Sequence, residues 1–358
     1  MSVTTSLGGN PNHIYYNARL DNFEGAGVHT PPIAAVFNDT RPAALINRAR
    51  DYELSIVRFQ MSLQSLPALI VEHPVQAGPT PTNTAYTFTI ENTDGSISES
   101  ATVQWLPAVT GRTQGSGTYQ DPYWWEYDYL RFGTFVNAAL TQAMAAVIAA
   151  DESYAAVPAP YFAYDTQLAE WSLYCHETFL DSTGSLQLWA NHPAQYLFSG
   201  FPVTQSTIGI SNVRYNIFLQ PNESLTSANL VKRTQTPGSL VNWNPVRRIV
   251  FTTATLPVVS ESINSSTNYT TGQTQSSLAS QQIVSDLTPD VLRGDELRAG
   301  LINYTPSAEY RYLDLQGEAE IRDINFSVFW EDTLGNLNPH MLWHNDFVSA
   351  KLLFHRKS

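Results

Sequence analysis

Cysteine is nearly absent: Cys175 is the single one in 358 residues. An intramolecular disulfide is excluded, and the fold does not depend on an oxidising compartment. Charge is scarce as well, at 14% of residues against about one quarter in ordinary soluble proteins. Polar surface must then come from Ser, Thr, Asn and Gln, which cost less to desolvate than Lys and Glu. That suits a chain burying much of its exterior against neighbours, although a secreted β-protein would share the composition. Basic residues are the rarer sign: 19 Lys and Arg face 32 Asp and Glu, a formal charge of −13. Such a chain is no general nucleic-acid binder, because phosphate binding rests on clustered cations. No apolar run reads as membrane-spanning, and the opening MSVTTSLGGNPNH lacks a charged-then-apolar signal pattern, so a soluble, non-secretory product is expected. There is no Gly-x-Ser-x-Gly elbow, phosphate-binding Gly-rich loop, dinucleotide fingerprint or zinc-type Cys pair.

What the chain does contain is short alternating segments separated by turn residues. Residues 1–12 are small, polar and aperiodic, as in a flexible arm. From Ala34 onward the pattern turns to β. In YELSIVRFQMSL the alternation of Leu54 and Ile56 shifts by one residue before Phe59, Met61 and Leu63, which predicts a β-bulge. Asp94-Gly95 separates two strand-like runs as a hairpin. One helix is predicted over 134–150, where Val136, Leu140, Met144, Val147 and Ile148 recur at helical spacing behind Thr134 as N-cap. Stretches near 221–241 and 260–280 are Ser/Thr/Asn/Gln-rich and read as long loops. The expected architecture is all-β: a jelly-roll or related antiparallel β-sandwich with one inserted α-helix and long loops, spanning 13–358, with room for a second jelly roll.

Several constellations invite chemistry. The aromatic run containing Trp124, Trp125 and Tyr127 suits stacking on sugars, or filling a subunit interface or helix-sheet seam. Arg293-Gly294-Asp295 matches a receptor-recognition tripeptide that three residues alone specify weakly. His340 and His344 have the spacing of two metal ligands on a helix, with Asp346 close behind, but Pro339 argues against a helix there. Cys175 and His176 are adjacent in a strand, so they point to opposite faces and cannot act as nucleophile and base. Asp323 and Asp332 are the nearest candidates for paired carboxylates. Local basic sets, namely Arg41, Arg48, Arg50 and Arg58, then Lys232 and Arg233, then Arg247 and Arg248, then His355, Arg356 and Lys357, are expected to be solvated or interface charges. One of them facing packaged DNA is the alternative.

The C-terminal end is the most distinctive stretch. Ile324, Phe326, Val328 and Trp330 alternate with polar residues, a turn follows, and Val348, Ala350, Leu352 and Phe354 alternate again. This reads as two closing strands of a sheet, with Trp330 buried. The run from Tyr310 to Lys357, with Trp330-Glu331-Asp332, then Gly335-Asn336-Leu337 and Pro339, then a basic closing strand from Lys351, resembles the C-terminal region of penton or minor capsid proteins of small double-stranded DNA viruses of the virophage and polinton-like group. Phe37 to Ile70, Trp243 to Val258 and Asp286 to Leu315 carry further likeness. The resemblance implies a non-enzymatic structural subunit of the virion, assembled in host cytoplasm or nucleus. It implies a homopentamer at five-fold vertices in contact with a double jelly-roll major capsid protein, with no cofactor or metal. The competing reading is a β-sandwich module that binds carbohydrate or a receptor.

Overall fold

The computed structural model describes residues 11–23, 33–63, 66–72, 84–106, 123–168, 170–181, 183–208, 212–220, 225–226, 229–236, 243–259, 282–288, 300–305, 311–333, 335 and 337–357. The chain forms two compact units, Met1–Leu66 with Val246–Ser358, and Pro67–Pro245.

The first unit is built on eight strands: β1 (His13–Asn22), β2 (Val36–Thr40), β3 (Tyr52–Ser62), β4 (Val246–Thr253), β5 (Gln282–Leu287), β6 (Leu301–Tyr304), β7 (Asp323–Asp332) and β8 (Asp346–Arg356). One antiparallel sheet runs β1-β8-β3-β6, and the other runs β2-β7-β4-β5. Strands successive in this series change sheet each time, except at the β4–β5 pair. That crossing pattern is a jelly roll. Between the sheets, Phe59 of β3 meets Phe251 of β4 edge-on with ring centroids 4.5 Å apart, and Phe251 stacks on Phe326 of β7. Leu54, Leu352 and Phe354 are fully buried beside them. Each such side chain removes enough apolar surface from water to contribute about 1.5–3 kcal/mol.

Trp330 is buried on β7, as the alternation predicts. The bulge is present too: Lys351 faces Arg58 while Leu352 faces Ile56, which leaves Val57 as the extra residue of β3. The two closing strands, however, are not neighbours in one sheet. β7 and β8 lie in opposite sheets, connected through the short strands Leu337–Pro339 and Met341–Leu342, with Asn345 at φ 63° turning the chain into β8. A period-two pattern identifies a buried face but carries no information about which sheet that face belongs to. The segment read as an arm is tied at its end, since Tyr52 donates its hydroxyl to the Pro11 carbonyl and the Arg356 amide bonds the Asn12 carbonyl. Residues 1–10 lie outside the described residues, as do 260–280.

The second unit enters the sequence between β3 and β4. Its helix α1 is Tyr129–Ala150, starting five residues before the expected span of 134–150. The N-cap is Asp128, whose carboxylate accepts from the Leu130 amide at 2.9 Å, whereas the Thr134 hydroxyl bonds back to the Arg131 carbonyl. By length and composition α1 could cross a bilayer, contrary to the sequence reading. Its Phe132, Val136, Leu140, Met144 and Val147 are instead buried in the core of the unit. Asn137 fastens it by donating to the Phe162 carbonyl and accepting from the Phe162 amide, at 2.9 and 2.8 Å. Gly133 allows close approach, because a Cβ there would stand 2.8 Å from the Trp171 ring. A second, short helix, α2 (His192–Leu197), follows the strand Leu186–Asn191. The stretch read as a loop at 221–241 contains a strand, Leu230–Thr234, laddered to Glu170–His176; its alternation was masked by polar, β-compatible residues. The ladders of this unit combine sequential hairpins, such as Thr87–Asn92 with Ser98–Thr102 and Val203–Ile208 with Asn212–Ile217, with longer-range pairs such as Thr87–Asn92 with Leu186–Asn191.

Candidate assembly surfaces

The groups that suggested enzymatic chemistry are kept apart by the fold. Cys175 is fully buried, and burial, reinforced by Asp181, pushes its thiol up to about 12, so it stays protonated and inert. His176 turns away to cap the short helix after it through Nδ1 and Thr178. His340 is fully buried between short strands, and desolvation lowers its imidazole to about 3, while His344 is exposed. Among the described residues no cluster of His, Cys, Asp and Glu could hold a metal ion. Asp323 and Asp332 are the two ends of the ten-residue β7, roughly 30 Å apart at strand rise. Paired catalytic carboxylates need about 5–9.5 Å.

Within the aromatic run, Trp125 belongs to the second unit's interior. Tyr123–Glu126 forms a strand laddered to Leu69–Glu72. Trp125 is buried, and Glu126 next to it is a buried carboxylate that gathers donors. Trp105 Nε1 reaches it at 2.6 Å, Arg131 at 2.5 Å, and the amides of Tyr127 and Asp128 at 2.9 and 3.2 Å. Tyr127 is half-buried. Tyr129 packs on Tyr164 and Trp243 at the helix-sheet seam. The Trp124 side chain and Arg293, Gly294 and Asp295 lie outside the described residues.

Most of the basic sets are neutralised by carboxylates of their own fold. Arg48 and Arg50 both pair with Glu318. Arg247 and Arg248 reach Glu331, and Arg248 and Arg311 share Asp286, binding β4, β5 and β7 together. Lys357 meets Asp314 at 2.7 Å and His355 meets Glu53 at 2.8 Å. Two surfaces of the jelly roll remain presented. One is the side where β1 and β2 each have, among the described residues, a single long ladder partner, β8 and β7 respectively. These two strands are buckled together by the Tyr16 hydroxyl on the Asp39 carboxylate. Edge strands of this kind carry a row of backbone donors and acceptors that another chain can pair. Sequence reasoning missed this surface because β1 was not recognised, although Ile14, Tyr16, Ala18 and Leu20 do alternate. The other is the outer face of the β1-β8-β3-β6 sheet, where Lys351 and Arg58 are cross-strand partners.

This fold recurs in known proteins. A family model described as Sputnik minor capsid protein V18/19 matches residues 14–356. The structural protein V19 of Sputnik virophage is 25% identical over 210 residues, which is 55% of this chain and 94% of that protein. A chain in the cryo-EM structure of the Sputnik virophage superposes with a TM-score of 0.76 at 22% identity, covering 97% of this chain and 99% of that one. The mavirus penton protein superposes with a TM-score of 0.64 at 15% identity, covering 97% and 100%. These relatives are structural capsid components and not enzymes. With a jelly roll, no assembled catalytic centre among its described residues and a family match running nearly from end to end, the chain belongs to the Sputnik minor capsid protein V18/19 family, structural proteins of the virophage capsid.

Proposed function

We propose that this protein is a penton subunit: five copies form a ring that closes a five-fold vertex of the virion, flanked by a double jelly-roll major capsid protein. The observation that carries the reading is the fold likeness to the mavirus penton protein, which extends over 97% of this chain and all of the other. Physical features support it. A head-to-tail contact repeated round a rotation axis closes on itself without a second kind of interface. The open β1/β2 side offers strand edges for such a contact. The low charge content leaves a surface of hydroxyls and amides that is inexpensive to desolvate.

Native mass measurement of the purified protein tests the proposal. A particle of five times the 39.8 kDa chain mass is the expected result. A monomer or dimer at concentrations up to the millimolar range overturns the pentamer. Co-sedimentation with the major capsid protein of the same virus tests the second contact separately.

A further inference from the structure

We propose that the outer face of the β1-β8-β3-β6 sheet binds the phosphate backbone of a nucleic acid. The register of three strands places the side chains. Across one row stand Asn17, Lys351 and Arg58, and across the next stand Arg19, Ser349, Gln60 and Asn303. Arg58 is exposed and Lys351 half-exposed. As cross-strand partners, they hold two positive charges side by side. Arg19 adds a third one row on, about 7 Å along the strand direction; it is held by Asp21 at 2.8 Å and lies 6.0 Å over the Phe347 ring. The Lys351 ammonium sits 4.5 Å from the ring centre of Tyr15, which is 55% exposed. That places an aromatic face beside the cations, where an unstacked base can lie. Gln60 and Asn303 are fixed to each other at 3.2 Å and fill the same face with amides.

The charge pattern selects the occupant. In a chain of net charge −13, Arg48, Arg50, Arg247, Arg248, Arg311, His355 and Lys357 are each paired with a carboxylate of the fold. On this face the described carboxylates stand at the periphery, Asp21 at one end on Arg19, and Glu53 with its cross-strand partner Asp314 at the other, on His355 and Lys357. The centre holds Lys351 and Arg58 among neutral Asn, Gln, Ser and Tyr. A small cationic patch with an aromatic at its rim and no carboxylate in its central row complements a run of phosphates. The strong negative charge elsewhere restricts such binding to this one face and keeps it weak and salt-dependent.

Fluorescence anisotropy with a labelled 20-nucleotide single strand and a 20-base-pair duplex, titrated with the full-length protein from 50 to 200 mM salt, tests the proposal. Arg58→Gln and Lys351→Gln are each expected to weaken binding roughly fivefold to tenfold and to lower the slope of log K against log salt by about 1. Arg50→Gln, removing a cation already held by Glu318, is expected to change neither. Thermal unfolding of each variant establishes that it is folded. Absence of binding at 50 mM salt, or wild-type affinity and slope in the Arg58→Gln/Lys351→Gln double variant, overturns the proposal. Polyglutamate that competes as well as the oligonucleotide at equal charge also overturns it, and assigns the face to an acidic protein segment.

Discussion

Buried His340 makes the jelly roll sensitive to acid, and the size of the effect follows from its position. The ring is fully enclosed, its backbone amide donates to the Val328 carbonyl and its carbonyl accepts from Ala35, so it links β7 to the segment entering β2. Desolvation lowers its folded pKa from 6.5 to about 3. Between those two values the unfolded chain binds a proton that the folded one refuses, so stability falls as pH falls. At one pKa unit per 1.36 kcal/mol, the loss is about 2 kcal/mol at pH 5 relative to pH 8, and it approaches roughly 5 kcal/mol near pH 3. That is a large share of a typical folding free energy of about 5–15 kcal/mol. The assay is urea unfolding of wild type and His340→Gln at intervals from pH 8 to pH 4.5. The carboxylates common to both chains cancel in the comparison. The variant is expected to be less stable at pH 8, where a buried amide replaces a well-fitted ring, yet to lose about 2 kcal/mol less than wild type between pH 8 and pH 5. Parallel pH profiles for the two proteins would refute the reasoning, whatever their absolute stabilities.

Two further substitutions probe packing, one in each unit. Trp330→Ala removes an indole that is 2% exposed on the central strand β7; an unfolding free energy lower by about 3–5 kcal/mol is expected in denaturant titrations, and a change below about 1 kcal/mol would contradict its place in the core. Gly133→Ala sets a gain of up to about 1 kcal/mol in helix propensity against a Cβ 2.8 Å from the Trp171 ring, which is itself enclosed. Overpacking costs about 1–3 kcal/mol, so net destabilisation is expected, with a changed Trp fluorescence; a more stable variant would show that the helix-sheet spacing is looser than described.

The elements legible in the sequence are those specified by near neighbours. Phe326, Val328 and Trp330 reveal β7 by alternation alone, and the slip between Ile56 and Phe59 locates the bulge at Val57, because both signals are local. The start of α1 was misplaced since Asp128 and Thr134 are both good capping residues; only the Leu130 amide distinguishes them. Sheet membership was not legible, because the decisive pairings, such as His13 with His355 and Met61 with Val348, join residues hundreds of positions apart. The cationic face was hidden for the same reason. Arg58 was grouped with Arg48 and Arg50 by proximity in sequence, yet those two are held by Glu318 while Arg58 stands beside Lys351. Charge counting along the chain cannot separate a cation spent within the fold from one that is available outside it.

The placement of β8 between β1 and β3 also governs timing. A ribosome releases β1 and β3 early, but the ladder that joins them is supplied by residues 346–356, some three hundred positions later. Until that stretch emerges, the sheet has a gap in its middle, and so large a sequence separation makes closure slow. A nascent chain therefore holds β1 without its ladder partner until its last strand is made.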